Sequence, residues 1–484
     1  MKNKVLSKVT CVLAGGLLLT VASCSESQYL NTVPPTQLIS EEAFATPSRI
    51  LGLVNGTYKS LKNANYYGGR FQFYLDVRGE DFINTTANSF TGYESWSNTY
   101  TSSSNDINTL WSAAYTTINQ ANILISGLPQ NPGIVSDELA TQYLGEAKFL
   151  RALSYYSLVS IFAQPYVKDQ GASPGLPLRL QAETTMANND LARSSVAQVY
   201  TQILKDLDEA EASLPTTYAT EELRVTRAHK NTAIALKTRV YLNMGNYAKV
   251  VEEARKIVPQ TAAPFSATTG VQHALQSNIV STLTTTFTTT ESILSMPFSS
   301  LDMYSGQSSI GYIYNGNAEY YLNPTGILGS SQWSSTDARR GFLRTVTSNN
   351  RSYLSKFGRN APYLIYMPLI RYAEVLLNYA EAAAETGDLT LATNLLKAVH
   401  ARSDASYTFP AFATKEALVN SILTERRIEL LGEGFRSNDL LRRLQTIPAK
   451  TGPTVSAAAV APTSENYIWP ISNNELVTNK LINQ

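Results

Sequence analysis

Residues 368–388 read PLIRYAEVLLNYAEAAAETGD. Apolar side chains recur at Tyr372, Ala373, Val375, Leu376, Tyr379, Ala380 and Ala383, while Arg371, Glu374, Asn378, Glu381 and Glu385 fall on other faces, which is the spacing of an amphipathic helix. Pro368 suits a helix start and Gly387-Asp388 a stop, so a second helix over Leu389–Arg402 completes a helical hairpin. The small residues Ala380, Ala383 and Ala384 let a partner helix approach closely. One hairpin cannot bury such a face alone; it needs neighbours of its own kind.

The same unit occurs at 231–259, NTAIALKTRVYLNMGNYAKVVEEARKIVP, where Gly245-Asn246-Tyr247 takes the place of Gly387-Asp388-Leu389. Both hairpins resemble tetratricopeptide units, with a glycine in the turn between two helices. Tyr143–Phe162 and Ser195–Leu214 read as two further helices separated by a Pro/Gly loop over Gln164–Arg193. Arg49–Leu61, Asn108–Leu128 and the charged stretch Lys415–Arg443 extend the helical spine. Two tracts break it. Asn63–Asn105 and Gln260–Pro362 are rich in Ser, Thr, Gly, Asn and Tyr, without sustained helical period; the first reads as loop and the second as short strands and long loops. Loops of this length in a compact protein usually carry function.

Composition narrows the classes. The chain has 484 residues, 39 basic against 38 acidic side chains, and 43% hydrophobic residues, so it is globular and carries no basic excess for nucleic acid. Both cysteines, Cys11 and Cys24, lie within the first 24 residues, so no disulfide is expected in the remainder. Lys2, Lys4 and Lys8 precede an apolar run over Val9–Val21 that is short for a membrane span and fits a secretory signal at 1–23. The run ends in Val21-Ala22-Ser23-Cys24, which resembles the bacterial lipobox, and lipidation is expected at Cys24. Ser25 rather than Asp follows, which in Gram-negative lipoproteins permits outer-membrane delivery. Residues 24–40 then form a lipidated tether, and 41–484 a single mainly α-helical domain with hairpins at about 143–259 and 368–443 and a loop-rich insert at about 260–362.

Six segments in fixed order resemble the SusD/RagB family of surface lipoproteins. They are the start with Leu30, Pro34, Pro35, Thr36 and Phe44; Leu110–Tyr115 (LWSAAY) with Asn119 and Asn122; Gly145–Ala152 (GEAKFLRA); Ile370–Leu377 (IRYAEVLL); Glu425–Leu430 (ERRIEL) with Glu433, Gly434, Arg436 and Asp439-Leu440; and Trp469-Pro470-Ile471. The resemblance spans almost the whole chain. It implies a tetratricopeptide-like scaffold with a loop-rich ligand face. It also implies a lid on a SusC-like, TonB-dependent outer-membrane transporter, and capture of an oligosaccharide or, in some members, a peptide. Phe435 stands where many members carry His, and Asn438 where an aromatic is common.

The carboxylates of the 425–443 stretch raise the alternative of a secreted glycosidase. Arginines flank every one of them, however, and a paired, ionised carboxylate is the wrong state for a general acid, so a structural ion network is expected. Glu146 with Arg151, and Arg371 with Glu374, read the same way. His229, His273 and His400 are far apart in sequence, and no metal motif, EF-hand, phosphate loop or nucleophile elbow occurs, so neither metal nor cofactor is expected. The functional signal lies in aromatics among glycine-rich loops. Sugar rings present an apolar C–H face to an aromatic plate and hydroxyl edges to amides, carboxylates and guanidinium groups. A shallow site is expected from the 76–96 and 304–333 regions. Tyr93, Trp96, Tyr304, Tyr312, Tyr314 and Trp333 are its stacking candidates, and Arg78 and Asp81 its hydroxyl partners. The alternatives are rings that pack loops onto helices and a salt bridge between Arg78 and Asp81.

Overall fold

A computed structural model describes residues 42–185 and 189–483. The expected signal segment, Cys24 and the tether lie outside the described residues. Helices dominate, and they stack in the order Pro47–Leu61, Asn105–Gln130, Asp137–Phe162, Val196–Ser213, Lys230–Asn243, Tyr247–Ile257, Tyr372–Glu385, Leu389–Ser403 and Lys415–Glu429. Successive members pack on one another, so the spine is a run of antiparallel hairpins, as the repeat pattern requires. Local chemistry sets the ends. Ser136 accepts from Leu139 N, Ser195 and Gln198 form a reciprocal capping box, and Asn246 and Asp388 cap the second helix of each hairpin. Gly245 and Gly387 adopt φ of +68° and +97° in the hairpin turns, where a side chain would be strained.

The insert returns to the spine at a two-stranded antiparallel sheet, Ser292–Met296 with Met367–Arg371. Pro368 therefore sits in a strand and not at a helix start; the helix begins at Tyr372, whose N–H donates to Glu291 O at 2.9 Å. The Tyr372–Glu385 helix is not amphipathic in place, because Glu374, Asn378 and Glu381 are as buried as its apolar stripe. Each has a partner from another element. Arg239 forks onto Glu374 (2.6 Å), Arg426 donates to Asn378 (2.6 Å), and Arg442 forks onto Glu381 (2.6 Å).

The 425–443 stretch forms the ion network expected of it, as two helices. Lys415–Glu429 and Arg436–Leu441 are separated by a turn in which Gly432 and Gly434 adopt φ of +84° and +86°. Asp76 closes this turn, accepting from the N–H groups of Gly434, Phe435 and Arg436 at 3.0–3.2 Å. Arg371 bridges Glu291 (2.8 Å), Glu429 (2.8 Å) and Glu433 (2.7 Å); Arg402 reaches Glu291 and Glu429; Arg339 reaches Asp337, Glu425 and Glu429; and Lys356 pairs with Glu433. Glu146 and Arg151 are structural too, but pair with Arg227 and Asp206 and not with each other. Phe435 lies beneath Arg239, 5.0 Å from ring centre to guanidinium, and Asn438 is buried in the following helix.

Asn63–Asn105 is more ordered than expected. It contains the Arg70–Val77 helix, the strand Phe82–Asn84 and the Tyr93–Ser97 helix. Every residue of Arg70–Val77 is buried. Its polar members find specific partners: Gln72 donates to Pro368 O (2.6 Å), and Arg70 to the carbonyls of Phe90 (2.8 Å) and Gln307 (2.7 Å). A helix wetted on no face shows no apolar/polar period, so none is visible in its sequence.

Burial alone would push the Glu429 carboxyl up, but Arg402, Arg371 and Arg339 hold it well below the usual carboxylate range. Burial likewise opposes ionisation of Asp439, yet Arg426 and Arg442 bring it down from 3.8 to about 2. Carboxylates depressed in this way release protons on folding, so their stabilisation is complete above the ordinary carboxylate range and is lost as pH falls through the folded values. Chemical denaturation is therefore expected to show stability falling from about pH 4 towards about pH 2. Glu429→Ala, which removes one carboxylate shared by three buried guanidinium groups, is expected to cost on the order of 3–5 kcal/mol at neutral pH. A melt unchanged in that variant contradicts a structural role for the network.

Candidate functional site

The two loop tracts meet on one face. Phe82–Asn84 pairs antiparallel with Tyr320–Leu322, Asn84 opposite Tyr320. Beyond the strand, Asn84 Oδ1 accepts from Thr86 N (2.9 Å) and Ala87 N (2.8 Å), which curls the chain into a turn. The buried carboxylate of Glu319 then ties the tracts together. It accepts from Asn88 Nδ2 (3.2 Å), Thr91 Oγ1 and Asn317 Nδ2, while its backbone oxygen accepts from Thr85 N (3.0 Å). Tyr320 OH donates to Thr91 O at 2.8 Å. Arg70 adds a further link, holding the carbonyls of Phe90 and Gln307 with its guanidinium 4.7 Å from the Phe90 ring centre.

On the other side, a single wide turn at Tyr312–Gly316 is fastened by Asn315. Its amide donates to the carbonyls of Gly358 (3.2 Å) and Arg359 (2.7 Å), and its two oxygens accept from Arg344. Arg344 belongs to the hairpin Leu343–Val346/Arg351–Leu354, and Arg351 on its second strand lies 4.7 Å from the Tyr321 ring centre. The result is a face on which Phe90 is 50% exposed and Tyr93, Tyr312, Tyr321 and Tyr363 are half-buried, with Asn88 and Asn317 between the tracts. A groove of about 650 Å³ runs past Phe287, Gly341, Arg359, Asn360 and Leu364. A second cavity of about 420 Å³ lies apart, between Trp111, Asn119, Arg179 and Glu475, where Asn119 and Asn122 anchor the Pro/Gly loop to the spine.

Most of the residues singled out from sequence support this face from beneath. Trp96 is fully buried, donates from Nε1 to Phe82 O (2.8 Å) and lies under Lys450 Nζ at 5.0 Å. Trp333 is 2% exposed beneath Arg340. Tyr314 is enclosed by Phe73, Phe82 and Phe357. In this conformation none of the three offers a ring face to a ligand, so their role as plates is corrected to packing. Arg78 is fully buried and donates to Tyr100 OH (2.9 Å), Tyr467 O (2.8 Å) and Ser437 Oγ (3.2 Å). Asp81 accepts from Arg427 and from Ile327 N (2.7 Å). The pair thus forms neither a hydroxyl clamp nor its own salt bridge; each carries a separate structural load. Tyr304 is half-buried with its hydroxyl donating to Lys62 O (2.9 Å). Tyr93 and Tyr312 keep part of a ring open on the face.

Phe90, Tyr321, Tyr363, Arg344 and Arg351 were not among those candidates. Strand alternation was the available signal for Tyr321: in Tyr320–Leu322 the outer two residues are buried and the middle one is not. Glu425, Glu429 and Glu433 are enclosed and arginine- or lysine-paired, which holds them ionised and unsuited to act as general acids. His229 and His273 lie together despite their separation in sequence, with rings stacked 5.2 Å apart in the core, and among the described residues no group of three His, Cys, Asp or Glu side chains is placed to hold a metal ion.

Comparison with known proteins gives consistent answers for both halves. The family described as "SusD family" matches residues 231–484, and that described as "Starch-binding associating with outer membrane" matches residues 28–242. SusD-like protein P2 of Formosa agariphila is 26% identical, with 96% of each chain covered, and SusD-like protein P38 of the same organism is 24% identical over 97% of each. Among solved structures, a SusD superfamily protein from Bacteroides fragilis superposes with a TM-score of 0.82 at 30% identity, covering 91% of this chain and all of that one. A laminarin-binding SusD-like protein shares the fold at a TM-score of 0.68 and 20% identity, over 90% of this chain and 98% of its own. The chain belongs to the SusD/RagB family, and its N-terminal part matches a model of that family described as associating with the outer membrane.

Proposed function

We propose that this chain captures an oligosaccharide on the face built by residues 84–93, 306–322 and 344–363 and delivers it to a SusC-like, TonB-dependent outer-membrane transporter. The observation that carries the reading is the face itself. Phe90 is exposed and Tyr93, Tyr312 and Tyr321 are half-buried around Asn88 and Asn317, on a scaffold locked by Glu319 and Asn315. Rings held by packing and amides held by hydrogen bonds need little ordering when a sugar arrives, which keeps the entropic cost of binding low. The chemistry fits a glycan: ring faces for C–H stacking, and amides for hydroxyl edges. Solved proteins of this fold include one described as laminarin-binding and another, from Bacteroides vulgatus, described as SusD-like and carbohydrate-binding.

Attachment to the membrane is proposed through acylation of Cys24. No helix among the described residues is long and apolar enough to cross a membrane. The motif at 21–24 supplies the acceptor, and several acyl chains together give firm anchoring. Palmitate is expected to label the wild type and not Cys24→Ala; equal labelling removes the anchor. Gentle detergent extraction is expected to bring down a much larger β-barrel partner, and recovery of this chain alone contradicts the transporter role.

Ligand binding supplies the central test. Phe90→Ala and Tyr321→Ala are each expected to weaken binding about fivefold to tenfold, a loss of about 1 kcal/mol of stacking, with melting temperature nearly unchanged. Trp96→Ala is expected instead to destabilise the fold by about 3–5 kcal/mol. Calorimetry and thermal melts together separate the two effects. Unchanged affinity in both Phe90→Ala and Tyr321→Ala places the site elsewhere.

A further inference from the structure

The core of this protein neutralises its charges closely, and the ligand face does not. Between residues 303 and 366 the acidic residues are Glu319 and Asp337, against Arg339, Arg340, Arg344, Arg351, Lys356 and Arg359. Asp337 is consumed by Arg339, and Lys356 pairs with Glu433 in the core. Glu319 is turned inward to Asn88, Thr91 and Asn317. Arg340 donates to the backbone carbonyls of Leu328, Trp333 and Ser334. That leaves Arg344, Arg351 and Arg359 without a carboxylate partner among the described residues. Across the face, residues 82–104 contribute one acidic side chain, Glu94.

The three arginines belong to one construction. Arg344 spends Nε and Nη2 on Asn315, and Asn315 in turn donates to the Arg359 carbonyl. Arg359 spends one nitrogen on Gly341 O (3.2 Å) and is otherwise exposed at the rim of the 650 Å³ groove. Arg351 is the most telling. Among the described residues it is the arginine whose guanidinium makes no hydrogen bond at all, and it lies against Tyr321, a ring of the ligand face. A guanidinium backed by an aromatic ring has one side shielded from water and its donors free, the arrangement in which its fork binds a carboxylate or sulfate strongly.

We propose that the captured oligosaccharide is anionic, bearing carboxylate or sulfate groups, and that Arg351, with Arg344 and Arg359, recognises those groups while Tyr321 and Phe90 stack on the sugar rings. This rests on the capture reading and adds the charge class of the ligand.

The test uses the full-length chain in detergent micelles against hexagalacturonate, a chondroitin sulfate hexasaccharide, maltohexaose, laminarihexaose and a hexaglutamate peptide. Binding to the uronate or the sulfated glycan, or both, is expected; which of them binds distinguishes the two anion sources. Affinity is expected to fall about tenfold or more when NaCl rises from about 0.05 M to about 0.5 M. The double variant Arg351→Gln/Arg359→Gln is expected to lose at least about tenfold, while Arg351→Lys recovers only part of the affinity, because it keeps the charge but not the fork that stacks on Tyr321. Thermal melts check that the substitutions leave the fold intact. Neutral glycans bound as tightly as anionic ones, or anionic binding indifferent to the double variant, overturns the proposal and leaves glycan capture standing. Binding to hexaglutamate alone, or to no probe, overturns both.

Discussion

The interaction on which the rest of the structure depends is the set of contacts made by one guanidinium, Arg371. It stands at the junction between the strand that closes the loop insert and the helix that continues the spine, and it bridges Glu291 of the insert to Glu429 and Glu433 near the C-terminal helices. Three parts of the chain distant in sequence are registered at that point. Desolvating so many charges is expensive, and a well-packed apolar cluster could match the stability. What the ionic version adds is directionality: a fork with five donors accepts its carboxylates in one arrangement, so the insert seats in one register on the helices.

The proposed ligand face inherits that registration through a second, smaller knot. Glu319 stitches the 84–91 turn to the strand at 320–322, and Asn315 stitches the wide turn at 312–316 to the segment at 358–359. Beneath them Trp96, Tyr314 and Trp333 fill the space between loops and helices. The long loops are thus fastened where they meet the spine and open at their tips, the usual place for a binding face on a rigid scaffold.

Much of the spine was legible from periodicity and punctuation. Both hairpins, their glycine turns, and the helices at 137–162 and 196–213 fall within a few residues of the expected limits, because apolar spacing and caps are local signals. The ionic role of Glu425, Glu429 and Glu433 was legible too, from the arginines interleaved with them. What could not be read was any element whose polar residues are buried. The Arg70–Val77 helix looks like loop because Arg70, Gln72 and Asp76 find partners far away in sequence, and Tyr372–Glu385 looks amphipathic because Glu374, Asn378 and Glu381 do the same. The site suffered from the same blindness. The two loop tracts do pair, Phe82–Asn84 with Tyr320–Leu322, but lying in a glycine-rich loop does not tell a surface ring from a core one. Trp96 and Trp333 are buried in the core, while the partly open rings are Phe90, for which no local signal exists, and Tyr321, which only the alternation of a three-residue strand marks.

Hydrogen–deuterium exchange on the full chain, with and without a saturating oligosaccharide, tests the account most directly, because it reports every segment at once. Protection is expected at 84–93, at 306–322 and along the 343–359 hairpin, with the 425–443 network already protected and unchanged by ligand. Protection confined to the cavity beside Trp111 and Arg179, or slowed exchange across 425–443 on binding, contradicts it.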